Sequence, residues 1–552
     1  MALHESQPDD AGCMPGTRLR VLSMIMKWTK DDPKAIFWLA GLAGTGKTSI
    51  AVTLCRMLND EPGVVLGGVF FCSRTANIVE LTDARCILPT LVMALAEKSP
   101  KFAAALGKEL TVDSRATLKP ISIQIGSLLQ RPLTALSSSS QAIVFIIDAL
   151  DECSDEKEVK NLLRAISSLA CEARVKFIVT SRPETHISTS PISSSDRNSI
   201  LRLHTIDTAE VTEDIRLYVD GAFSKQPLDE VWYAGSDVNL IASRAEGMFI
   251  YASTVVAYVL DTESVENRAA RLRTALFAMK DSKVATGPLD AFYEFVLMRA
   301  SDTARVEPKE LADTKQVLAC ILRARMPLSI SALADILERK PDVLRESLRR
   351  LRSVVHVPDE VDQAGLRTVH ATLGEYLLER AAADLRISAA LGEESLATGC
   401  LRVMVKRLHF NVSQSRTSYE RNLSTKPDSI TLSLEYSCLQ WIYHFANLSQ
   451  PWIKEGDIEQ VFLPLFLFWL EVMSVLGQIQ RAGAMLIFAS TTVCLSSIVI
   501  HAPSNLSRRC SQQSFRALCA MLTYLWPHHG RRLRGVRHTF TCRPFRSHQK
   551  TR

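Results

Sequence analysis

The 13 cysteines of this 552-residue chain are scattered, with no repeated C-x-x-C spacing. That pattern indicates neither a cysteine-rich zinc site nor a disulfide framework. The N-terminus, Met1-Ala2-Leu3-His4-Glu5-Ser6, lacks the apolar core of a signal peptide, so a reducing, cytoplasmic location is expected. Acidic residues are missing from Arg508 to Arg552, where eleven Lys or Arg fall. Without that stretch 54 basic face 59 acidic residues, so the formal charge of +6 belongs to the tail and the body is mildly acidic at −5. Such a tail either binds phosphate polymers or anionic membranes or is an unstructured end, and residues 501–552 are expected to be disordered. Clean apolar spans are also lacking. The run Val461 to Gly477 holds Pro464 and Glu471, and Ala482 to Ile500 is diluted by Ser490, Thr491, Thr492, Ser496 and Ser497. Membrane insertion is not expected.

What is present is the composition of a large globular protein, 47% hydrophobic and 22% charged, long enough for three or four domains. Residues 41 to 48 read GLAGTGKT, which is G-x-x-x-x-G-K-[ST], directly after the apolar run Ala35-Ile36-Phe37-Trp38-Leu39. Ser49 to Leu58 continues as a helix. In a strand-loop-helix of this kind, successive backbone N–H groups from Gly41, Leu42, Ala43, Gly44, Thr45, Gly46, Lys47, Thr48 and Ser49 can turn toward an anion. The helix N-terminus adds partial positive charge. Lys47 would reach the β- and γ-phosphates of a nucleotide, and the Thr48 hydroxyl would ligand Mg²⁺.

A second element, Ile143-Val144-Phe145-Ile146-Ile147, is a continuous apolar strand that ends in Asp148-Ala149-Leu150-Asp151-Glu152. Such a strand suits the centre of a parallel sheet and delivers its last residue to the ligand-binding carboxyl edge. Asp148 is then placed to hold Mg²⁺ opposite Thr48, and Asp151 or Glu152 to polarise an attacking water. A third strand, Val175 to Thr180, runs into Ser181-Arg182-Pro183-Glu184. Arg182 either contacts a γ-phosphate or pairs with a carboxylate at the sheet edge. Between these strands Val159, Leu162, Leu163, Ile166 and Leu169 share one helical face, so the unit is parallel α/β.

These segments, with Pro15-Gly16-Thr17-Arg18, Leu203 to Asp207 with Asp214-Ile215, Ala245 to Ala252 and Trp469 to Ser474, resemble the NACHT class of signalling STAND P-loop NTPases. The similarity is greatest to the fungal group with a nephrocystin-type nucleotide-binding domain, and it spans about residues 13 to 480. The resemblance implies an α/β P-loop NTPase domain followed by a helical lid, a winged helix and an all-α region. It implies ATP or ADP with Mg²⁺ as ligands, slow hydrolysis serving a switch, homo-oligomer formation on activation and an unidentified protein partner. It also implies a place in fungal self/non-self recognition. The resemblance also implies ATP over GTP, and no Asn/Thr-Lys-x-Asp guanine motif is evident. The segment Val369-His370-Ala371-Thr372-Leu373-Gly374-Glu375-Tyr376-Leu377 resembles the family motif whose histidine touches the β-phosphate of ADP, with Thr372 and Leu373 replacing the usual Ser and Phe. His370 either has that role, favoured when protonated, or is an ordinary polar residue at a strand end. Where the family often has Gly-x-Pro for the base, this chain reads Gly247-Met248-Phe249.

The expected organisation is a short N-terminus (1–12), a nucleotide-binding domain (13–190), a helical lid and connector (191–309), a winged helix (310–382), a helical domain (383–500) and the tail. The winged helix rests on apolar periodicity over Lys315–Leu322 and Ser331–Leu337, on Pro341 opening a third helix, and on two short strands around 358–365. Arg345, Arg349, Arg350 and Arg352 on or after that third helix either enter a DNA groove or form a solvated face. The competing functions are therefore an ATP-regulated nucleic-acid binder and a scaffold that holds nucleotide without hydrolysing it. Nucleic acid and membrane are not the expected partners.

Overall fold

The computed structural model describes residues 12–488 apart from 77, 137–140, 170–174, 191, 193–197, 226–231, 263, 282–286, 301–307, 359, 364, 415–426, 449–454, 480 and 487. The basic tail and most of the run 482–500 lie outside the described residues.

Large apolar residues alternate between the two faces of the first strand, β1 (Ile36–Ala40), and all five are buried. Ile36, Trp38 and Ala40 face one core and Phe37 and Leu39 the other. Burial on both faces is what a parallel strand with helices on each side requires. The other strands are β2 (Val64–Phe71), β3 (Ala142–Asp148), β4 (Val175–Ser181) and β5 (Asn198–Arg202). They form one sheet in the order β2-β3-β4-β1-β5, and every pairing is parallel. On one face Phe145 and Phe177 stack at 5.4 Å among Trp38, Phe70 and the helices Ile87–Lys98 and Glu156–Leu169. On the other, Phe37, Val144, Ile146 and Ile178 meet the helices Leu19–Asp31 and Lys47–Asn59. The register pairs Ala40 with Ser181 and Phe71 with Asp148, so four strands end level at the edge where Gly41 begins its loop.

The sheet extends past the expected boundary at residue 190, because Asn198 opens β5. The following segment is helical, in three pieces, Thr208–Ser224, Gly235–Arg244 and Phe249–Leu260.

The chain divides into two compact units. The first comprises residues up to Asp302 with Leu351–Val355 and Thr368–Arg386; the second comprises Thr303–Arg350, His356–Arg367 and the chain from Ile387 on. In the second unit Pro308–Arg323, Ile330–Ile336 and Pro341–Arg349 are helices, and Pro341 occupies the first turn of the last. The two-stranded ribbon of Val355–His356 and Arg367–Thr368 follows them. Farther on, Ala389–Arg407 buries Leu396, Cys400, Leu401 and Met404. Its buried Glu393 accepts from Arg323 Nε at 2.7 Å and lies 2.7 Å from His444 Nδ1, so the carboxylate is paired rather than stranded. Among the described residues no helix is long and apolar enough to cross a membrane.

Phe145 is fully buried and joins two strands through its ring stack. Phe145→Ala should therefore lower the unfolding free energy of the first unit by about 3–5 kcal/mol. Chemical denaturation checks this, and a loss under about 1 kcal/mol would contradict the assigned core.

Candidate phosphate-binding site

The loop after β1 starts where the Gly41 N–H donates to Ser181 O at 3.1 Å. It reaches the helix Lys47–Asn59 through two left-handed glycines, Gly44 (φ 75°) and Gly46 (φ 87°). Gly44 is irreplaceable on two counts: its φ favours glycine, and a Cβ there would lie 2.0 Å from Ile250 Cγ2. The Ile250 N–H in turn donates to Gly44 O at 3.0 Å, so the start of helix Phe249–Leu260 grips the loop. Gly46 is the N-cap and offers no side chain, and the first intrahelical bond is Ile50 N–H to Gly46 O. The amides of Lys47, Thr48 and Ser49 thus have no acceptor within the helix and converge with its dipole.

Lys47 is buried, and its ammonium donates to Gly41 O at 2.8 Å and Leu42 O at 2.9 Å. Burial lowers its pKa, while Asp151 and Asp148 act to raise it. The Thr45 hydroxyl donates to Leu42 O, and Thr45 O accepts from Arg18 Nη2 at 2.9 Å. Arg18 is itself buried, lies over the Phe249 ring at 4.7 Å and leaves its Nε without a hydrogen-bond partner. Leu42 is exposed, and Ala43 and Ser49 are half-buried.

Asp148 ends β3 with 1% of its surface exposed. Its Oδ2 accepts from the Thr48 hydroxyl at 2.7 Å and its Oδ1 from Thr180 at 2.6 Å. Burial raises its pKa, opposed by those two hydroxyls and by Lys47. The bend that follows places Ala149 at φ 52°, held by its N–H donating to Thr180 Oγ1 at 3.0 Å. Asp151 and Glu152 then diverge. Asp151 accepts from the Arg182 N–H at 2.8 Å and lies 3.3 Å from Arg182 Nε. Glu152 accepts from the Arg74 N–H at 2.7 Å, and burial pushes its carboxyl up to about 7, aided by Asp151 and Asp148 and opposed by the Arg74 N–H.

Arg182 is engaged with carboxylates, Asp151 on one side and Glu375 Oε1 at 2.7 Å on the other. His370 folds with the sheet unit and feels the charges of both Lys47 and Arg182. Its ring caps the short helix Ala371–Glu375, Nδ1 accepting from the Thr372 N–H at 3.2 Å. Burial first, then Arg182 and Lys47, push its pKa down to about 4. Nδ1 also lies 2.8 Å from the Thr372 hydroxyl, and burial and the two cations disfavour the charged ring.

The structure therefore brings the P-loop, Asp148, Asp151, Arg182 and His370 to one edge, with Glu152 beside them. Thr180, Arg74, Arg18 and Glu375 were missed as site residues. Thr180 and Arg18 sit in the motifs that carried the resemblance, whereas nothing in the sequence marks Arg74. A cavity of about 490 Å³ opens against Leu42 and Ala43, lined also by Arg182, Met248, Leu289 and Arg380. Its size suits a small ligand. The uncapped amides, the glycine a side chain cannot replace and the hydroxyl–carboxylate pair fit a nucleoside polyphosphate with a divalent cation.

Residues 17–182 match the family model described as Nephrocystin 3, N-terminal. The vegetative incompatibility protein HET-E-1 of Podospora anserina is 25% identical over 493 residues, covering 82% of this chain and 34% of that protein. The chain thus spans about a third of the length of the curated relative it matches. Two solved structures overlap it loosely. One is a signal transduction ATPase with numerous domains and a tetratricopeptide repeat sensor, from Pyrococcus horikoshii, at TM-score 0.35 and 13% identity, covering 88% of this chain and 58% of that one. The other is the Aeropyrum pernix Orc1 protein in complex with DNA, at TM-score 0.30 and 16% identity, covering 71% and 94%. Both overlaps are too weak to bear on function. The loop, its acidic strand and the nephrocystin-type match coincide over residues 17–182, so this segment is a P-loop domain of the nephrocystin 3 N-terminal kind, in a chain similar to HET-E-1 over most of its length.

Proposed function

We propose that the chain is a nucleotide-controlled signalling switch that binds ADP or ATP with Mg²⁺, hydrolyses ATP slowly and couples nucleotide state to opening and self-association. The observation that carries this reading is the 2.7 Å contact of Thr48 Oγ1 with Asp148 Oδ2 beside a helix N-terminus with no side-chain cap. Lys47 and the amides of residues 43–49 hold the phosphates, and Thr48 and Asp148 hold Mg²⁺. Bound Mg²⁺ neutralises phosphate charge and orients the terminal group. Thr180 orients Asp148, because its hydroxyl occupies the carboxylate oxygen that faces away from Thr48.

Glu152 is the better base of the two carboxylates after β3. Both Asp151 oxygens are taken up by Arg182, whereas the Glu152 carboxyl, pushed up to about 7, exchanges a proton near neutral pH. His370 offers a ring N–H to a phosphate. The helices Thr208–Leu260 serve as the lid, since Ile250 already bonds the P-loop, and 310–382 serves as the winged helix that responds to nucleotide. Of the arginines after Pro341, Arg349 pairs with Glu346 in its own helix, which favours a solvated face over a nucleic-acid contact. Likeness to HET-E-1, a vegetative incompatibility protein, supports a role in fungal self/non-self recognition.

Lys47→Ala should abolish the nucleotide that copurifies with the wild-type protein. Mass spectrometry of the denatured eluate checks this, and wild-type stoichiometry in the variant would defeat the assignment.

Glu152→Gln should retain ATP, slow phosphate release at least tenfold and favour oligomers by sedimentation; unchanged turnover would move the base to Asp151.

The same residue gives a pH signature without nucleotide. With a folded pKa of about 7 against an ordinary 4.5, the Glu152 carboxyl holds a proton that the unfolded chain releases. Its contribution is fully present below pH 4.5 and is lost as pH rises through about 7. Glu152→Gln should therefore raise Tm at pH 8 and leave it near wild type at pH 5, whereas equal shifts at both would show an ordinary surface carboxylate.

A further inference from the structure

Arg182 belongs to a longer ionic chain that starts at Asp151. Its Nη2 lies 2.7 Å from Glu375 Oε1, and the other Glu375 oxygen lies 3.9 Å from Arg380 Nη1. Arg380 then forks onto Asp290, Nε to Oδ2 at 2.8 Å and Nη2 to Oδ1 at 3.0 Å. All of these groups belong to the sheet unit. The chain runs from the acidic bend after β3 through Glu375 to Asp290 on helix Pro288–Ala300. His370 lies five residues before Glu375 on the same segment, so whatever holds Glu375 holds the histidine.

The exposures rank the links. The Asp290 side chain is 7% exposed and held bidentately, so losing Arg380 would strand a buried charge. Asp151 is 6% exposed and also bonds the Arg182 main chain. Glu375 is 32% exposed and regains water if released. When a further anion needs the Arg182 guanidinium, Glu375 is the partner that yields.

We propose that Glu375, braced by Arg380 and Asp290, is a positioning residue that competes with the terminal phosphate of ATP for Arg182, and so latches the 370–380 segment against the sheet unless that phosphate is bound. The latch rests on the nucleotide-switch reading given above. ADP lacks the competing group and leaves the Arg182–Glu375 bond intact. ATP supplies it, and the segment carrying His370 is let go. The bond therefore sets the ratio of ATP to ADP affinity, because binding ATP includes the cost of breaking it.

The test uses the full chain and two readouts: hydrogen exchange of amides 371–380 without nucleotide, and equilibrium Kd for ADP and for a non-hydrolysable ATP analogue. Glu375→Gln should speed exchange in 371–380 and improve analogue affinity over ADP about tenfold. Arg380→Asp should act the same way, and the exchanged pair Asp290→Arg with Arg380→Asp should restore both readouts toward wild type, which a loss of folding would not do. If wild type binds both nucleotides, Lys47→Ala binds neither, and Glu375→Gln leaves exchange and affinity ratio unchanged, the latch is wrong while the switch stands. If wild type binds no nucleotide, the switch reading fails, and exchange alone then shows whether Glu375 fastens the segment.

Discussion

A carboxylate with 1% of its surface exposed is the constraint around which the first unit is organised. Burying Asp148 at the end of β3 is costly unless its oxygens are bonded and a cation stands near. Thr48 takes one oxygen, Thr180 the other, and Lys47 supplies the positive charge. Lys47 and Thr48 open the helix after the β1 loop and Thr180 lies in β4, so satisfying one carboxylate fixes the relative positions of that loop, β3 and β4. The parallel register, which pairs Ile36 with Phe177 and Ile147 with Val179, is what brings the strand ends close enough. The apolar layers on both faces hold that register.

The second consequence is economy at the sheet edge. Ser181 bonds Trp38 Nε1 through its hydroxyl at 2.8 Å and the Gly41 N–H through its carbonyl. Thr180 bonds Asp148 and the Ala149 amide, and Arg182 bonds Asp151 through its main chain. Three consecutive residues of β4 and its exit thus fasten the P-loop, the buried Asp148 carboxylate and the acidic bend, and the segment Thr180-Ser181-Arg182 is a structural clasp.

This division explains which parts were legible in the sequence. The P-loop, β1, β3 and β4 were visible because buried parallel strands read as unbroken apolar runs and because glycine and lysine at fixed spacing have few other uses. β2 was not seen, since Gly67 and Gly68 interrupt Val64–Phe71. The structure gives the reason for the pair: a Cβ on Gly67 would lie 2.6 Å from Phe145 Cε1, and one on Gly68 3.0 Å from Leu91 O. Close approach of a neighbouring strand and a helix demands glycine where a propensity argument expects Val or Ile. β5 was missed because it follows a Ser-rich stretch and is an edge strand with weak apolar signal. The roles of Arg74 and Glu375 were invisible for another reason. Both are ordinary charged residues whose partners lie 78 and 193 positions away, Glu152 and Arg182, and only folding brings them together.

His370 sits in a tertiary charge balance that the residue alone does not reveal. Considered alone beside a phosphate, an imidazole gains by protonation. In the folded chain burial and the charges of Lys47 and Arg182 disfavour the charged ring, and the carboxylate that opposes them, Glu375, is already bonded to Arg182. Nδ1 faces the Thr372 N–H at 3.2 Å and its hydroxyl at 2.8 Å. The position of the ring is set by the short segment on which it rides, because it caps the helix Ala371–Glu375 and that helix is tied to Arg182 through Glu375.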